Sequence, residues 1–417
     1  MRALSPALLL GLALACGGGG SGSGTPAPSA PPKPTISSFT ATPSILTAGQ
    51  SSTLAWVVTG ATTVKLEGSP TTATSAPVAP AASTTYTLIA EGAGGQASAS
   101  VTVTVGSQVP QYGTFHGADL GVGANLNGAI PFTTGNAWNQ DISGAPVDPN
   151  SANLIATIGL NKGLHPDFGS GLYQGAPIGI PYVVVAGAQP KVTIALGAYA
   201  DESDPGPYPV PPNAPIEGQM ADGSSFGGDR HVLVIDRDAN RLYELGNAYP
   251  QPNGSWQASG GAIFTLDGLV ARPTAQPGWT STDAAGLPIF PGLARYEEAA
   301  SGAIRHALRF TVNLSRRAYV PPATHWASSS TDVNRPPMGM RVRLKASFVI
   351  PGTYTTESKA LLQAMKTFGM LVADNGSDWY ISGAPDPRWN NSKLLSELGA
   401  VKGSDFEVVR MDGIVTP

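Results

Sequence analysis

The feature that most restricts the fold is the shortness of the apolar runs. In most segments apolar residues alternate with polar ones, and each segment ends at a glycine or a proline. The chain holds 51 glycines and 38 prolines in 417 residues. Glycine and proline interrupt helices and favour turns, while alternation with a period of two marks a strand with one buried face. The pattern therefore predicts an all-β protein.

Charged residues are scarce, and the net charge is small. Asp, Glu, Lys and Arg make up 12% of the chain, and the formal net charge at pH 7 is −4. No stripe of lysine and arginine follows any segment. Proteins that bind nucleic acid hold it through phosphate contacts and need such stripes. The sequence therefore predicts no nucleic-acid partner.

The N-terminal residues have the pattern of an export signal followed by a tether. Arg2 precedes an apolar run, Ala7–Ala15, that is too short to span a bilayer, and the next residue is Cys16, the single cysteine of the chain. The pattern resembles a bacterial lipoprotein signal, cleaved before Cys16 so that the thiol carries lipid; the alternative is an ordinary signal peptide. We expect residues 1–15 to be the signal and 16–33 a Gly/Ser/Pro tether. The protein is then exported and lipid-anchored to the cell envelope, facing outward or periplasmic, and it contacts the membrane through that lipid alone.

Residues 34–105 alternate strongly and are predicted to form one domain. Leu54, Trp56 and Val58 fall on one face of a strand. The segment resembles bacterial Ig-like modules, with Trp56 at the central-strand core position and Tyr86, in "TTYTL", in the tyrosine-corner region. The resemblance implies a β-sandwich that acts as a spacer or adhesive stalk.

Residues 106–417 are predicted to form a larger functional domain, which contains all five histidines. Successive strand-like runs and two late helical patterns favour an antiparallel β-sandwich of jelly-roll type with one or two short C-terminal helices. The runs "DAAGLPIFPGLARYEE", "IRHALRFT" and "DNGSDWYISGAPDPRW" resemble an uncharacterised group of secreted bacterial proteins. That resemblance implies no particular chemistry.

The densest polar cluster is "GDRHVLVIDRDANRLYELG", residues 228–246. Asp236, Asp238 and Asn240 can offer three oxygen ligands to Ca²⁺, but the sixth position of such a loop requires glycine and is Arg241 here. The flanking runs have the pattern of strands, and Asp, Ala and Asn suit the turn between them. The sequence favours a plain hairpin, with these three side chains at its solvent-exposed tip and no metal; calcium is the alternative.

Four ionisable residues are candidates for catalysis. His231, Glu244 and His306 each alternate with apolar residues along a predicted strand, and Asp229 lies where one begins. Burying such groups unpaired costs about 2–7 kcal/mol, so they must meet one another, a ligand or water. We expect Asp229, His231, Glu244 and His306 to line a cleft, with Glu244 as an acid/base carboxylate. The alternative is a set of salt bridges and satisfied core residues.

Loop residues are candidates for substrate binding. His325 and Trp326 lie in "ATHWAS", and Arg388 and Trp389 lie in "SGAPDPRWNN". Rings displayed on loops can stack on sugars, although a tryptophan in such a loop often covers a core. The histidines lack close metal-ligand spacing, so we expect no metal site and no other cofactor.

Two functions remain open at this point. One is a glycosidase-type hydrolase that acts on extracellular polysaccharide through carboxylates and histidine. The other is a non-catalytic surface protein that binds a glycan or another cell-surface component. The chain lacks the phosphate-binding loop and the His-Glu-x-x-His motif of other enzyme classes. The length of the second domain favours the enzyme.

Overall fold

The computed structural model describes residues 31–417 apart from 43, 48–50, 81–82, 107–109, 226–227 and 274. The predicted signal peptide, Cys16 and most of the predicted tether lie outside the described residues. Strands make up 33% and helices 12%, which confirms the predicted all-β class with few short helices. Within the described ranges no helix is both long enough and apolar enough to span a membrane.

The chain divides into two compact units. The smaller unit includes the described residues up to Ala41 together with Leu54–Ala76 and Thr85–Val101. The larger unit consists of Thr42–Thr53, Pro77–Thr84 and Thr102–Pro417.

The strands of the N-terminal region occur in two sheets, as a sandwich requires. They are β1 (Thr35–Thr42), β2 (Ile45–Thr47), β3 (Ser52–Thr59), β4 (Thr63–Leu66), β5 (Ser69–Thr71), β6 (Ser75–Val78), β7 (Thr84–Gly92) and β8 (Gly95–Gly106). The strand orders are β1-β3-β6 and β2-β8-β7-β4-β5. Leu54 and Trp56 are buried on one face of β3, and the Trp56 ring packs edge-on against Phe39 with centroids 6.1 Å apart. The alternation thus identified the core face of this strand.

Short strands and four α-helices follow in the described residues from 111 onward. The strands are β9 (Gln111–Tyr112), β10 (Gly121–Val122), β11 (Ala129–Ile130), β12 (His165–Asp167), β13 (Leu172–Tyr173), β14 (Ala176–Pro177), β15 (Tyr182–Val185), β16 (Ile194–Leu196), β17 (Val232–Asp236), β18 (Arg241–Gly246), β19 (Tyr249–Pro250), β20 (Trp256–Ala258), β21 (Gly260–Thr265), β22 (Leu308–Val312), β23 (Arg341–Leu344), β24 (Met370–Asn375), β25 (Tyr380–Ser382) and β26 (Phe406–Val408). The helices are α1 (Ser151–Ile158), α2 (Tyr296–Ala300), α3 (Thr356–Thr367) and α4 (Asn391–Gly399). Helices α3 and α4 are the two predicted C-terminal helices.

Two large sheets share one apolar core. The five-stranded sheet has the order β10-β15-β17-β18-β21, and the six-stranded sheet has the order β12-β25-β22-β24-β23-β26. Leu233 and Ile235 of β17 belong to the same buried cluster as Phe310 of β22 and Val372 of β24. Side chains of the opposite face of β17, such as Val234, belong to a second buried cluster. Strand β17 is therefore covered on both faces.

The strand pairing is mixed rather than purely antiparallel. Strands β17 and β18 form the predicted hairpin, with register from Val232↔Leu245 to Asp236↔Arg241. However, β15 pairs with β17, β22 with β24 and β12 with β25 in parallel. The predicted antiparallel arrangement is wrong for these pairs. Parallel neighbours need long connections, and hairpin-like sequence patterns do not reveal which distant strands those connections bring together.

Candidate functional site

A cleft of about 750 Å³ lies in the larger unit, between strands of the six-stranded sheet and the loops that lead into β17. Strands β12, β22 and β25 and the end of β24 with the turn that follows it supply one part of its lining, and residues 217–218, 228–229 and 231 supply another. The cleft concentrates ionisable groups in a chain that has few. Those in its lining are His165, Asp167, Glu217, Asp229, His231, Arg309 and Asp374.

His231 is buried in the cleft wall as a positively charged ring. Its Nδ1 lies 2.5 Å from Glu217 Oε2, and its Nε2 lies 2.9 Å from the carbonyl oxygen of Thr282. A carboxylate and a carbonyl both accept, so both ring nitrogens donate and the ring is an imidazolium. Burial alone would lower the pKa of His231, but the Glu217 carboxylate outweighs it and raises the pKa to about 9. Burial acts against ionised Glu217 as well, yet the His231 charge holds the pKa of Glu217 below its usual value.

Arg309 is fixed in the cleft floor by a second buried ion pair. Its Nη2 lies 2.6 Å from Asp283 Oδ2, and its Nη1 donates to Ser382 Oγ at 2.7 Å. Asp283 is held in turn, because its Oδ1 accepts from the backbone N–H of Ala285 at 2.9 Å. Arg309 is on the face of β22 opposite Leu308 and Phe310, so its head group points away from the side of the strand that carries those apolar residues.

Asp374 is a carboxyl group of the cleft that can carry a proton near neutral pH. It lies near the end of β24, where "DNGSD" turns the chain into β25, and it is half-buried. Burial and the negative charge of Asp283 raise its pKa to about 6, against the opposing effect of Arg309. Asp167, at the end of β12, also lines the cleft, and partial loss of water raises its pKa as well.

An aromatic pair stands beside the carboxyl groups. His165 of β12 and Tyr380 of β25 are register neighbours, and their rings stack with centroids 4.1 Å apart and planes 22° apart. Both rings line the cleft and both are half-buried. A partly exposed aromatic face next to polar groups is suited to the apolar face of a sugar ring.

Among the predicted catalytic residues, the structure places Asp229 and His231 in the lining of this cleft and Glu244 elsewhere. Glu244 is fully buried on the face of β18 that also carries Leu242. Its Oε1 accepts from the backbone N–H groups of Ile289 and Phe290, both at 3.0 Å. The role in acid/base chemistry predicted for Glu244 is therefore replaced by a structural one, because its oxygens bind the amides that start the 3-10 turn Phe290–Gly292.

Glu244 makes the stability of the larger unit dependent on pH. Burial raises its pKa to about 7, although the amides of Phe290 and Ile289 oppose the shift. The folded protein then binds the proton more tightly than the unfolded chain, so stability falls as pH rises from about 4.5 to about 7, by on the order of 3 kcal/mol. We expect Glu244→Gln to remove this loss, so that at pH 8 the variant unfolds at equal or higher urea concentration than wild type. A variant that unfolds earlier at pH 8 and later at pH 5 would contradict the assignment.

His306 does not reach the cleft, and it precedes β22 instead of lying within it. Its Nε2 lies 3.1 Å from Glu298 Oε2 and 2.8 Å from Arg295 Nη2, and its Nδ1 donates to the carbonyl of Ala307 at 2.8 Å. Burial opposes the charge on Glu298, but Arg295 and His306 together lower its pKa to about 2. The alternative of a satisfied core histidine describes His306, and the predicted catalytic role is not supported by its position.

His325 and Trp326 lie together on a different part of the surface. His325 Nδ1 donates to the carbonyl oxygen of Ala284 at 2.8 Å, and its ring stacks on Trp326 with centroids 5.2 Å apart. Both are half-buried, and neither lines the cleft. Their predicted contact with the same substrate is therefore not supported.

Arg388 and Trp389 are held by other residues of the fold. Arg388 Nη2 lies 2.6 Å from Asp386 and 2.7 Å from Glu297. Trp389 is 3% exposed, and its Nε1 donates to the carbonyl of Ala384 at 3.1 Å. Trp389 covers a core, so the predicted stacking of its ring on a sugar is not supported. Arg388 pairs with Asp386 and Glu297 and does not line the cleft.

At the hairpin tip, polar side chains accept hydrogen bonds from backbone N–H groups. Asp236 is buried, contrary to the predicted exposure, because its Oδ1 folds back to accept from Asp238 and Ala239 N–H at 3.2 and 3.0 Å. Asp238 is exposed, and its Oδ2 accepts from Gly187 N–H at 2.7 Å. Half-buried Asn240 accepts from the N–H of Phe115 at 2.7 Å. Across the described ranges there is no group of three or more His, Cys, Asp or Glu residues arranged to hold a metal.

Much of the cleft was not anticipated from the sequence. Asp374 and Tyr380 lie in "DNGSDWYISG", and Arg309 lies in "IRHALRFT", but nothing in their spacing marks them as neighbours of Glu217. The sequence held one signal for this site. Charged residues are rare in the chain, and an arginine within an apolar strand, such as Arg309, needs a buried partner. Comparison of the chain with protein-family models, with curated proteins and with solved structures yields no match.

Proposed function

We propose that the larger unit is a hydrolase that cleaves glycosidic bonds of an extracellular polysaccharide in the cleft. One observation carries the proposal: a cleft of ligand-binding size brings Asp374, a carboxyl group half-protonated at about pH 6, together with a further carboxylate and a stacked aromatic pair. Glycoside hydrolysis needs two carboxyl groups in different protonation states.

Each group has a distinct role in the proposed reaction. Asp374 acts as the general acid and gives its proton to the glycosidic oxygen as the bond from the anomeric carbon to that oxygen breaks. Water adds to the anomeric carbon, and its proton passes to Asp229, an exposed residue of the cleft lining near the charged ring of His231. His231 and Arg309 position the carboxylates, and the stacked His165–Tyr380 pair holds a sugar ring.

The second candidate is a non-catalytic glycan-binding protein. The same aromatic pair and cleft favour it, because sugar binding requires stacking and hydrogen bonds without acid/base chemistry. The carboxyl group with a raised pKa favours the hydrolase, because binding alone requires no proton donor.

The test is an assay for new reducing ends. The full chain without residues 1–15 is incubated at pH 5–6 with a panel of soluble polysaccharides, and Asp374→Asn serves as the matched inactive variant. We expect reducing ends from at least one polymer with wild type and not with Asp374→Asn. Binding of a polymer by both proteins, with no reducing ends from either, would instead establish the glycan-binding function.

We propose further that the protein is exported and anchored through lipid on Cys16. The support is the sequence pattern around Ala7–Ala15 and Cys16, followed by a Gly/Ser/Pro segment. In a bacterial host, Cys16→Ala is expected to move the protein from the membrane fraction to the soluble periplasmic or medium fraction. Membrane partition of Cys16→Ala equal to that of wild type would disprove lipid anchoring.

A further inference from the structure

We infer that the cleft binds a sugar chain across the strands of the six-stranded sheet, so that His165 and Tyr380 hold the second sugar from the bond that is cut. This inference rests on the proposed function and specifies where one sugar-binding subsite lies relative to the cleaved bond.

Four residues of the cleft lining form one row across the sheet. Strands β12, β25, β22 and β24 are consecutive neighbours. The register pairs His165 with Tyr380, Tyr380 with Thr311, and Thr311 with Asp374. Register partners on neighbouring strands direct their side chains to the same face of a sheet, and all four residues line the cleft. The aromatic pair and the proposed acid therefore share one surface.

Asp374 reaches this surface because β24 contains one extra residue. Strict alternation would place Asp374 on the same face as Val372, which belongs to the apolar core. The register of β22 with β24 instead shifts after Phe310, so that Phe310 pairs with Val372 and Thr311 pairs with Asp374. The extra residue is Ala373. Irregularities of this kind are common beside active sites, where they redirect a side chain, and here the shift brings Asp374 into the row.

The row sets the distance between the aromatic pair and the acid. Tyr380 and Asp374 lie two strands apart, which is about 10 Å at the usual strand spacing. The acid must lie within roughly 3 Å of the glycosidic oxygen, so a sugar over Tyr380 is centred about 7 Å from that oxygen when the chain lies between the two residues. That distance is about one and a half strand spacings.

The length of a sugar unit converts this distance into a position along the chain. One unit of an extended chain is roughly as long as one strand spacing. The first ring is then centred about half a spacing from the cut bond, and the second ring about one and a half spacings from it. The second ring fits the position of the aromatic pair.

The residue between the pair and the acid leaves room for the intervening sugar. That residue is Thr311, and its side chain is shorter than that of Tyr380. Its hydroxyl is turned to the backbone, because Oγ1 donates to the carbonyl oxygen of Ser377 at 2.6 Å. We therefore expect the first sugar to lie over Thr311 and the second to stack on the pair.

The experiment uses cello-, xylo- and chito-oligosaccharides of two to six units, carrying ¹⁸O at the reducing end, and those of any other polymer that is cut in the reducing-end assay. A trimer has two bonds, and only one of them can be cut while the second sugar lies over Tyr380. We expect wild type to cut that bond about tenfold faster than the other, and Tyr380→Ala to cut both at similar rates. Tyr380→Ala should also lower kcat/KM about tenfold more for the trimer than for the dimer.

Two variants serve as controls. Tyr380→Phe keeps the ring and should retain the bond preference. Tyr199→Ala removes an exposed tyrosine that does not line the cleft, and it should change neither the preference nor the rate.

The outcomes separate this inference from the proposed function. If Tyr380→Ala keeps the bond preference of wild type, or loses as much activity on the dimer as on the trimer, the subsite is wrongly placed and the hydrolase still stands. If no oligosaccharide and no polymer is cut, both proposals fail. Calorimetric binding of a hexamer that Tyr380→Ala weakens and Tyr380→Phe preserves would then support the glycan-binding function instead.

Discussion

Asp374→Asn is expected to lower kcat for polysaccharide hydrolysis by about 10²–10⁴-fold, the usual contribution of a general acid. Asparagine keeps the size of the side chain and lacks the proton that the glycosidic oxygen needs. Substrate binding should persist, because the aromatic pair and the cleft walls are unchanged. The loss should therefore fall on kcat, with KM altered little.

The pH profile identifies the same group. Burial and Asp283 raise the pKa of Asp374 to about 6, and the acid acts only while it is protonated. Activity should therefore fall as pH rises through about 6, and the residual activity of Asp374→Asn should lack that step.

The control for Asp374 is Asp412→Asn, since the Asp412 side chain is 80% exposed and pairs with Arg410 at 3.3 Å. Asp374→Asn should also be no less stable than wild type at pH 8, because a raised carboxyl pKa costs the folded state stability above that pKa. If Asp374→Asn kept more than about a tenth of wild-type kcat, the loss would be much smaller than a general acid contributes. That result would exclude Asp374 as the acid.

Asp283→Ala is expected to destabilise the larger unit by about 3–5 kcal/mol, the usual effect of breaking a buried ion pair. Asp283 is 1% exposed and Arg309 is 4% exposed, and the Nε of Arg309 already lacks a partner among the described residues. Removing the carboxylate leaves a buried guanidinium without its counter-charge. Urea unfolding of the full chain, followed by tryptophan fluorescence, measures the loss.

Two further variants separate charge from packing at this pair. Asp283→Asn keeps an oxygen for the N–H of Ala285 and removes the charge alone. Asp283→Ala/Arg309→Met removes both charges and should recover a large part of the stability, because paired removal leaves no isolated buried ion. If the double variant is less stable than Asp283→Ala, the ion pair is not the source of the effect.

Local alternation identified the strands and their faces. Leu233 and Ile235 of β17 face the core that the two large sheets share, and Val232 and Val234 face the opposite side, as a period of two requires. The late helices and the β17–β18 hairpin follow from similarly local patterns. Side-chain direction within one element depends on residues two to four positions apart, and these are all visible in the sequence.

The sequence did not show which residues each of these faces contacts. Glu244 is predicted to line a cleft, but its face of β18 meets the amides of Ile289 and Phe290 instead. Trp389 was expected to meet a sugar and instead packs against Phe168, with ring centroids 5.0 Å apart. Alternation gives the direction of a side chain, and only the neighbouring layer decides what it contacts.

By itself, then, the sequence determined the all-β class and the polar hairpin, and it indicated that His231 and Asp229 belong to a polar site. The tertiary structure alone decided that Asp374, Arg309 and Asp167 join them. The parallel pairing of β12 with β25 and of β22 with β24 brings together segments that are more than sixty residues apart in the sequence. Long-range pairing of this kind is selected by the packing of whole sheets and leaves no periodic trace in the strands themselves.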